Sequence, residues 1–167
     1  QQYYQRNEGD FSLIEYWYPQ GFSEHQKSFW KVTSANHQIH IFGKSPLAKI
    51  SDHDNPDHVF TWLLEEMYDT LGNHQLIIYK PEDNVGVKEE AIYEVNRTVT
   101  ANRYLERICY GHKSSIKDSL ILSKHPALQD SNFWHFEVVF DYGEYNISPS
   151  NKNPYQPVNP WAVRPDP

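Results

Sequence analysis

The chain has 167 residues, the size of one ordinary domain. Hydrophobic residues make up 38% and aromatics 15%, with 12 Tyr, 8 Phe and 5 Trp. The apolar content therefore sits in large rings, which argues against disorder and against a Leu- and Ala-rich helical bundle, and favours a half-buried pleated surface. The formal net charge of −7 opposes binding to nucleic acid or anionic lipid, and no apolar run approaches the ~20 residues of a membrane-spanning helix.

Residues 1–10 are polar and read as a frayed end. Phe11 to Tyr18 is apolar and ring-rich and predicts a strand, followed by a turn or loop at Pro19–Gly21. Phe29–Thr33 and Gln38–Phe42 predict a hairpin through Ser34–His37. After Gly43–Pro46, Leu47–Ile50 predicts a short strand, and Ser51–Asp57 is a loop built almost wholly of turn formers. His58–Asp69 is ambiguous. Val59, Trp62, Leu63 and Met67 fit a helical stripe, so at most one short helix is expected, within 58–67. The next residues favour a hairpin: Tyr68-Asp69-Thr70-Leu71-Gly72-Asn73 is a tight-turn signal, and Gln75–Tyr79 is a clear strand. Gly72 supplies a positive φ, and the Asp69 carboxylate can take up nearby backbone N–H groups.

Residues 81–100 read as a charged loop or flap, and Asn102–Tyr110 as a strand ending at Gly111. Residues 112–131 predict an ordered loop with a short strand near Ile116–Leu122, and Phe133–Tyr142 is the strongest strand signal in the chain. From Ile147 onward the sequence is Pro-rich, which excludes a central strand, and Trp161 is positioned to pin the tail to the body. The expected organisation is a mainly β, antiparallel curved sheet of hairpins over 1–146, with an extended tail over 147–167.

No constellation carries catalysis. The densest His/Asp cluster, Asp52 to His58, places Pro56 and Asp57 where a calcium loop needs its fifth ligand and its glycine, and no third zinc ligand stands at a usual spacing. His37 and His40, three apart, would face opposite sides of a strand. Cys109 lies in the strand-like Arg-Ile-Cys-Tyr and reads as a packed thiol despite the nearby His112. Glu65–Glu66 and Glu89–Glu90 are adjacent pairs whose side chains would point to opposite faces of a strand, so neither serves as an acid/base pair. No catalytic, cofactor or metal residues are expected. The aromatic residues allow two readings: cross-strand core pairs, or an exposed row of rings for stacking on carbohydrate. Exposure of Trp17, Trp30 and Trp134 separates them.

The Tyr68-Asp69-x-x-Gly72-Asn73 turn and the strand after it resemble the tyrosine–aspartate repeat of Rhs-type proteins. Further blocks resemble the SpvB family, the N-terminal region shared by a bacterial virulence-plasmid toxin and the B components of toxin-complex (Tc) insecticidal toxins. These are Glu8–Phe11 with Ile14–Trp17, Trp30–Val32, Phe42–Pro46, Phe60–Leu64, Asn102–Gly111, Phe136–Glu144 and Arg164–Pro167, in the family's order. Tyr145-Asn146 departs from the His-Asp-like pair expected after Gly-Glu. The resemblance implies a piece of a longer toxin that contributes β-sheet to a hollow shell around a toxic polypeptide. It implies, as partners, the remainder of the parent chain, a C-type component or effector domain, and an A-type channel component. It also implies secretion after a cytoplasmic stage. The transferase of the virulence-plasmid relative would need a Glu-x-Glu pair, which this sequence lacks. The other reading of the residues is an autonomous carbohydrate- or protein-binding β module.

Overall fold

The computed structural model describes residues 1–4, 9–18, 27–82, 92, 95, 100–113, 133–146, 148 and 150. The predicted strand near Ile116–Leu122 and the tail with Trp161 lie outside them, as does most of the 81–100 loop. The described residues form ten strands: β1 (Gln2–Tyr3), β2 (Leu13–Trp17), β3 (Phe29–Thr33), β4 (Ile39–Phe42), β5 (Lys49–Ser51), β6 (Val59–Trp62), β7 (Leu64–Tyr68), β8 (His74–Pro81), β9 (Arg103–His112) and β10 (Trp134–Val139). Eight of them make one antiparallel sheet in the order β1-β2-β3-β4-β7-β8-β9-β10, while β5 and β6 pair apart from it. The fold is thus the expected antiparallel sheet of hairpins, and the short helix allowed within 58–67 does not form.

Several expectations are corrected. Residues 1–10 are not simply frayed: Gln2 pairs with Glu15 and Tyr3 with Ile14, and Tyr16 N–H donates to the Gln1 carbonyl at 2.8 Å. The strand expected from Phe11 starts at Leu13, because Phe11 sits at φ 49° and leaves extended geometry. Leu47 opens no strand. Pro46 at the head of Pro46–Ala48 favours a 3-10 turn, closed by Ala48 N–H to the Ser45 carbonyl, and the strand begins at Lys49. The strand expected over Phe133–Tyr142 runs from Trp134 to Val139, beyond which Asp141 and Gly143 (φ 101°) turn the chain.

The 58–69 stretch divides. Only β7 joins the hairpin with β8, through Tyr68↔His74 and Glu66↔Leu76, whereas β6 turns back on β5. The chain leaves the main sheet at Gly43 and returns at Leu63. Gly43 N–H donates to the Leu63 carbonyl at 2.9 Å, and Leu63 N–H to the Ala48 carbonyl at 2.8 Å. Gly43 has φ +65°, and a Cβ there would lie 2.3 Å from Trp62 Cδ1. Only glycine satisfies both the backbone and the ring at this crossing.

Three irregularities in the ladders leave one residue out of register, and each re-aims a side chain. Ile41 pairs with Glu66 and Phe42 with Leu64, which frees Glu65. Ile78 pairs with Arg107 and Tyr79 with Leu105, which frees Glu106. Ile50 pairs with Thr61 and Ser51 with Val59, which leaves Phe60 exposed. The core is divided as well. Rings fill it around β2–β4, where Trp30 packs 4.7 Å from Tyr16, 5.1 Å from Tyr3 and edge-on to Trp62. At β8–β10 it is Leu76, Cys109 and Trp134, with Ile78 and Phe133 against them.

Candidate functional site

The 68–73 turn is the clearest local device. Gly72 takes φ 88°, and its N–H donates to the Asp69 carbonyl at 3.2 Å. Asp69 Oδ1 accepts N–H groups of Leu71 at 2.9 Å and Asn73 at 3.0 Å, while Oδ2 accepts from the Asn73 amide at 2.8 Å. That side-chain bond from Asn73, followed by the backbone donors, holds the Asp69 carboxyl below its usual value. The Tyr68 ring meets His74 edge-on at 6.0 Å across the first pair of the hairpin. Tyr68, Asp69, Gly72 and Asn73 are thus brought together, each with a distinct part in the turn.

Next to this turn lies a buried polar centre that sequence reasoning missed. Glu66 is buried, with Lys44 Nζ on Oε1 at 3.1 Å and His74 Nε2 3.7 Å from Oε2. Burial alone would raise the Glu66 pKa. The His74 imidazole and the Lys44 ammonium outweigh that and hold it below the ordinary value. The two adjacent glutamates, expected to work apart on opposite faces, both act on Lys44. Because Glu65 is the out-of-register residue, its Oε2 reaches back to the N–H groups of Lys44 and Ser45, at 2.8 Å each. Lys49 is also buried, and desolvation brings its pKa down to about 8 against the raising effect of Glu65. The signal in the sequence was weak: a polar Glu-Glu at the start of a strand reads as solvated until the bulge is known.

The other expected or dismissed sites are occupied by structure. Asp52 and Asn55 cap the 52–58 loop through Asp54 N–H at 3.0 Å and Asp57 N–H at 3.3 Å, with the His58 ring against Asn55. Among the described residues no three His, Cys, Asp or Glu side chains converge as metal ligands. Cys109 is buried beside Glu137 Oε1 at 3.6 Å, and burial, then that carboxylate, push its thiol up to about 12. It is a protonated thiol at neutral pH. Glu137 also meets Arg107 at 3.5 Å. Lys80 bonds to Glu144 and lies 4.7 Å from the Tyr142 ring centroid, while Tyr145, at the departure from the family pattern, is buried with its hydroxyl 3.5 Å from Glu106. Of the three diagnostic tryptophans, Trp134 is 3% exposed, Trp30 is half-buried among rings, and Trp17, 47% exposed, is the most open to solvent. Trp17 lies parallel to Phe29 with Lys31 over its ring, so the three do not form a row.

The family model described as SpvB, Salmonella virulence plasmid 65kDa B protein, matches residues 1–167. The chain belongs to the SpvB family. Among curated relatives, mono(ADP-ribosyl)transferase SpvB of Salmonella typhimurium and of Salmonella choleraesuis are each 33% identical over 99% of this chain. The chain spans about a quarter (27%) of the length of these relatives. Among solved structures, the N-terminal domain of effector protein SpvB from Salmonella typhimurium superposes with a TM-score of 0.83 at 32% identity, over 98% of this chain and 49% of that one. A TcdB2-TccC3-Cdc42 crystal structure gives 0.83 at 30% identity, over 98% of this chain and 7% of that one. A Photorhabdus luminescens Tc holotoxin pore gives 0.79 at 30%, with the same coverage. The SpvB match therefore falls on the N-terminal domain of that effector. The equivalent segments sit within larger toxin chains and Tc assemblies. No helix among the described residues is long and apolar enough to cross a membrane.

Proposed function

We propose that this SpvB-family chain is a non-catalytic structural domain of a secreted bacterial toxin. It contributes sheet to the β shell that encloses a toxic effector and helps its export or translocation. The observation that supports this most is the shared superposition: one sheet fits both the SpvB N-terminal domain and a small segment of Tc chains. The use of Glu65, Glu66, Lys44, Lys80 and Glu144 in internal contacts agrees with a wall rather than a reaction site. Its partners are then the rest of its parent chain, a C-type component or effector domain, and an A-type channel component. The β domain is 1–146, with 147–167 as an extended tail, and Tyr68, Asp69, Gly72 and Asn73 are its structural turn.

A graft tests the reading. Residues 1–167 replace the matching segment of TcdB2 in the TcdB2-TccC3 complex. The chimera is expected to assemble with TccC3 and to keep the enclosed polypeptide protected from protease. A chimera that assembles but leaves that polypeptide digestible overturns the shell role. The exposed Trp17 beside Phe29 favours a second reading, a carbohydrate-binding surface. Glycan binding by the chain that is lost in Trp17→Ala would support that alternative.

A further inference from the structure

Residues directly opposite each other across an antiparallel ladder share one face of the sheet. One such line runs unbroken through all eight strands: Tyr3, Ile14, Val32, His40, Met67, Gln75, Tyr110 and Phe136. At ~4.8 Å between strands it is about 34 Å long. Six of its eight members are apolar, none is an acid, Lys or Arg, and none is buried. Tyr110 and Phe136, stacked at 5.2 Å, are 39% and 57% exposed. Two residues away on the same face, Ile77, Ile108 and Val138 repeat the pattern, and Val138 is 43% exposed.

The neighbouring line, on the opposite face, is the reverse. Gln2, Glu15, Lys31, Ile41, Glu66, Leu76, Cys109 and Glu137 include four charged side chains. Yet Ile41, Glu66, Leu76 and Cys109 in its middle are all buried. A sheet with one solvated face normally turns its apolar side inward and its charged side to water. Here the uncharged side is the open one, which marks a face built to be covered.

We infer that this face is the docking surface for a second layer of sheet, supplied by further chain of the same SpvB-like domain. The proportions of the relative name the occupant. The chain superposes on the solved SpvB N-terminal domain with a TM-score of 0.83 but covers 49% of it, so about half of that domain lies outside the match. A sheet stacked ~10 Å above the line meets it with its own uncharged alternate residues, because a charge placed there loses its water and finds no counter-charge. A second copy fits less well, since each copy brings a net charge of −7. The inference rests on the proposed function in taking the rest of the parent chain as partner, and it gives that partner its place.

Hydroxyl-radical labelling read by mass spectrometry tests this on Met67, Tyr110 and Phe136, whose side chains react readily. Two proteins are compared: the 167-residue chain, and a chimera in which it replaces the matching half of the Salmonella typhimurium SpvB N-terminal domain. Labelling of the three is expected to fall severalfold in the chimera, while Trp17, on the opposite face, reacts alike in both. Phe136→Lys should leave the melting temperature of the chain alone unchanged and lower that of the chimera by several degrees. If this chimera does not fold, the TcdB2 graft takes its place. Equal labelling in both proteins overturns the inference. So does protection in the dilute chain alone, which makes its own residues the cover. So does protection that rises with concentration and gains nothing in the chimera, which makes the cover a second copy. The two readings fail separately: a covered line in a graft that leaves the cargo digestible sinks the shell role alone, and an open line in a graft that protects the cargo sinks the docking surface alone.

Discussion

The two halves of the sheet reach the same architecture by different chemistry. Around β2, β3 and β4, rings do the packing: Tyr16, Trp30 and Trp62 form a continuous cluster, extended by Tyr3 from the edge strand. Around β7 to β10, ionisable groups are folded into the interior: Glu66 with Lys44 and His74, Lys80 with Glu144, and Cys109 against Glu137. Ring packing involves no ionisation and is indifferent to pH. A buried charge is costly unless its partner stays in place and stays ionised. The second half is therefore the one in which a single lost atom, or a single proton, should be felt most.

The largest test of that contrast is Glu66→Ala. It leaves the part-buried Lys44 ammonium (side chain 21% exposed) and the buried His74 without their carboxylate and should cost about 2–4 kcal/mol, read as the shift of a urea unfolding midpoint. A loss under about 1 kcal/mol would mean that water reaches the pair and that the halves do not differ in kind. Next comes Trp30→Ala in the aromatic half. Because the ring is only partly buried, about 2–3 kcal/mol is expected, short of the ~3–5 of a fully buried tryptophan, with no change in its pH dependence between about pH 5.5 and 7.5. Gly43→Ala probes the crossing between the halves. With φ +65° and Trp62 in the way, it should lose about 2 kcal/mol, and Trp62→Ala should recover part of that in the double mutant. The smallest effect belongs to the exposed turn. Asp69 has a depressed folded-state pKa, so its contribution is present above its usual 3.8 and disappears as the pH falls through the lower folded value. Asp69→Asn should therefore lower the melting temperature slightly at neutral pH, and the difference should shrink as the pH falls below the usual 3.8.

Ring-rich strands were legible in the residues: Phe29–Thr33 lies where its composition puts it, and the Tyr68–Asn73 turn is recognisable from Gly and Asn at their positions. What was not legible depends on register. Nothing in Leu63-Leu64-Glu65-Glu66 announces that Glu65 falls out of the ladder, so the two carboxylates read as opposite-facing when both serve Lys44. Likewise Val59–Trp62 looked like the first arm of the following hairpin. Its pairing with Lys49–Ser51 follows from the Gly43–Leu63 contact, which joins residues twenty apart in sequence. Local propensity fixes a strand; only the tertiary partner decides which side of it is the interior.

The order of strands carries a kinetic consequence. Apart from the β5–β6 excursion, every strand of the main sheet lies beside the one that precedes it in the chain. Each new strand therefore finds its template in the strand before it, across tight turns at β3–β4 and β7–β8 and across long connections from Pro81 to Arg103 and from His112 to Trp134. Only β7 must reach back across the excursion to β4, from Leu64 to Phe42. Such a chain can assemble in the direction in which it is synthesised or threaded through an opening, adding one strand at a time, with its slower closures at Phe42–Leu64, Pro81–Arg103 and His112–Trp134.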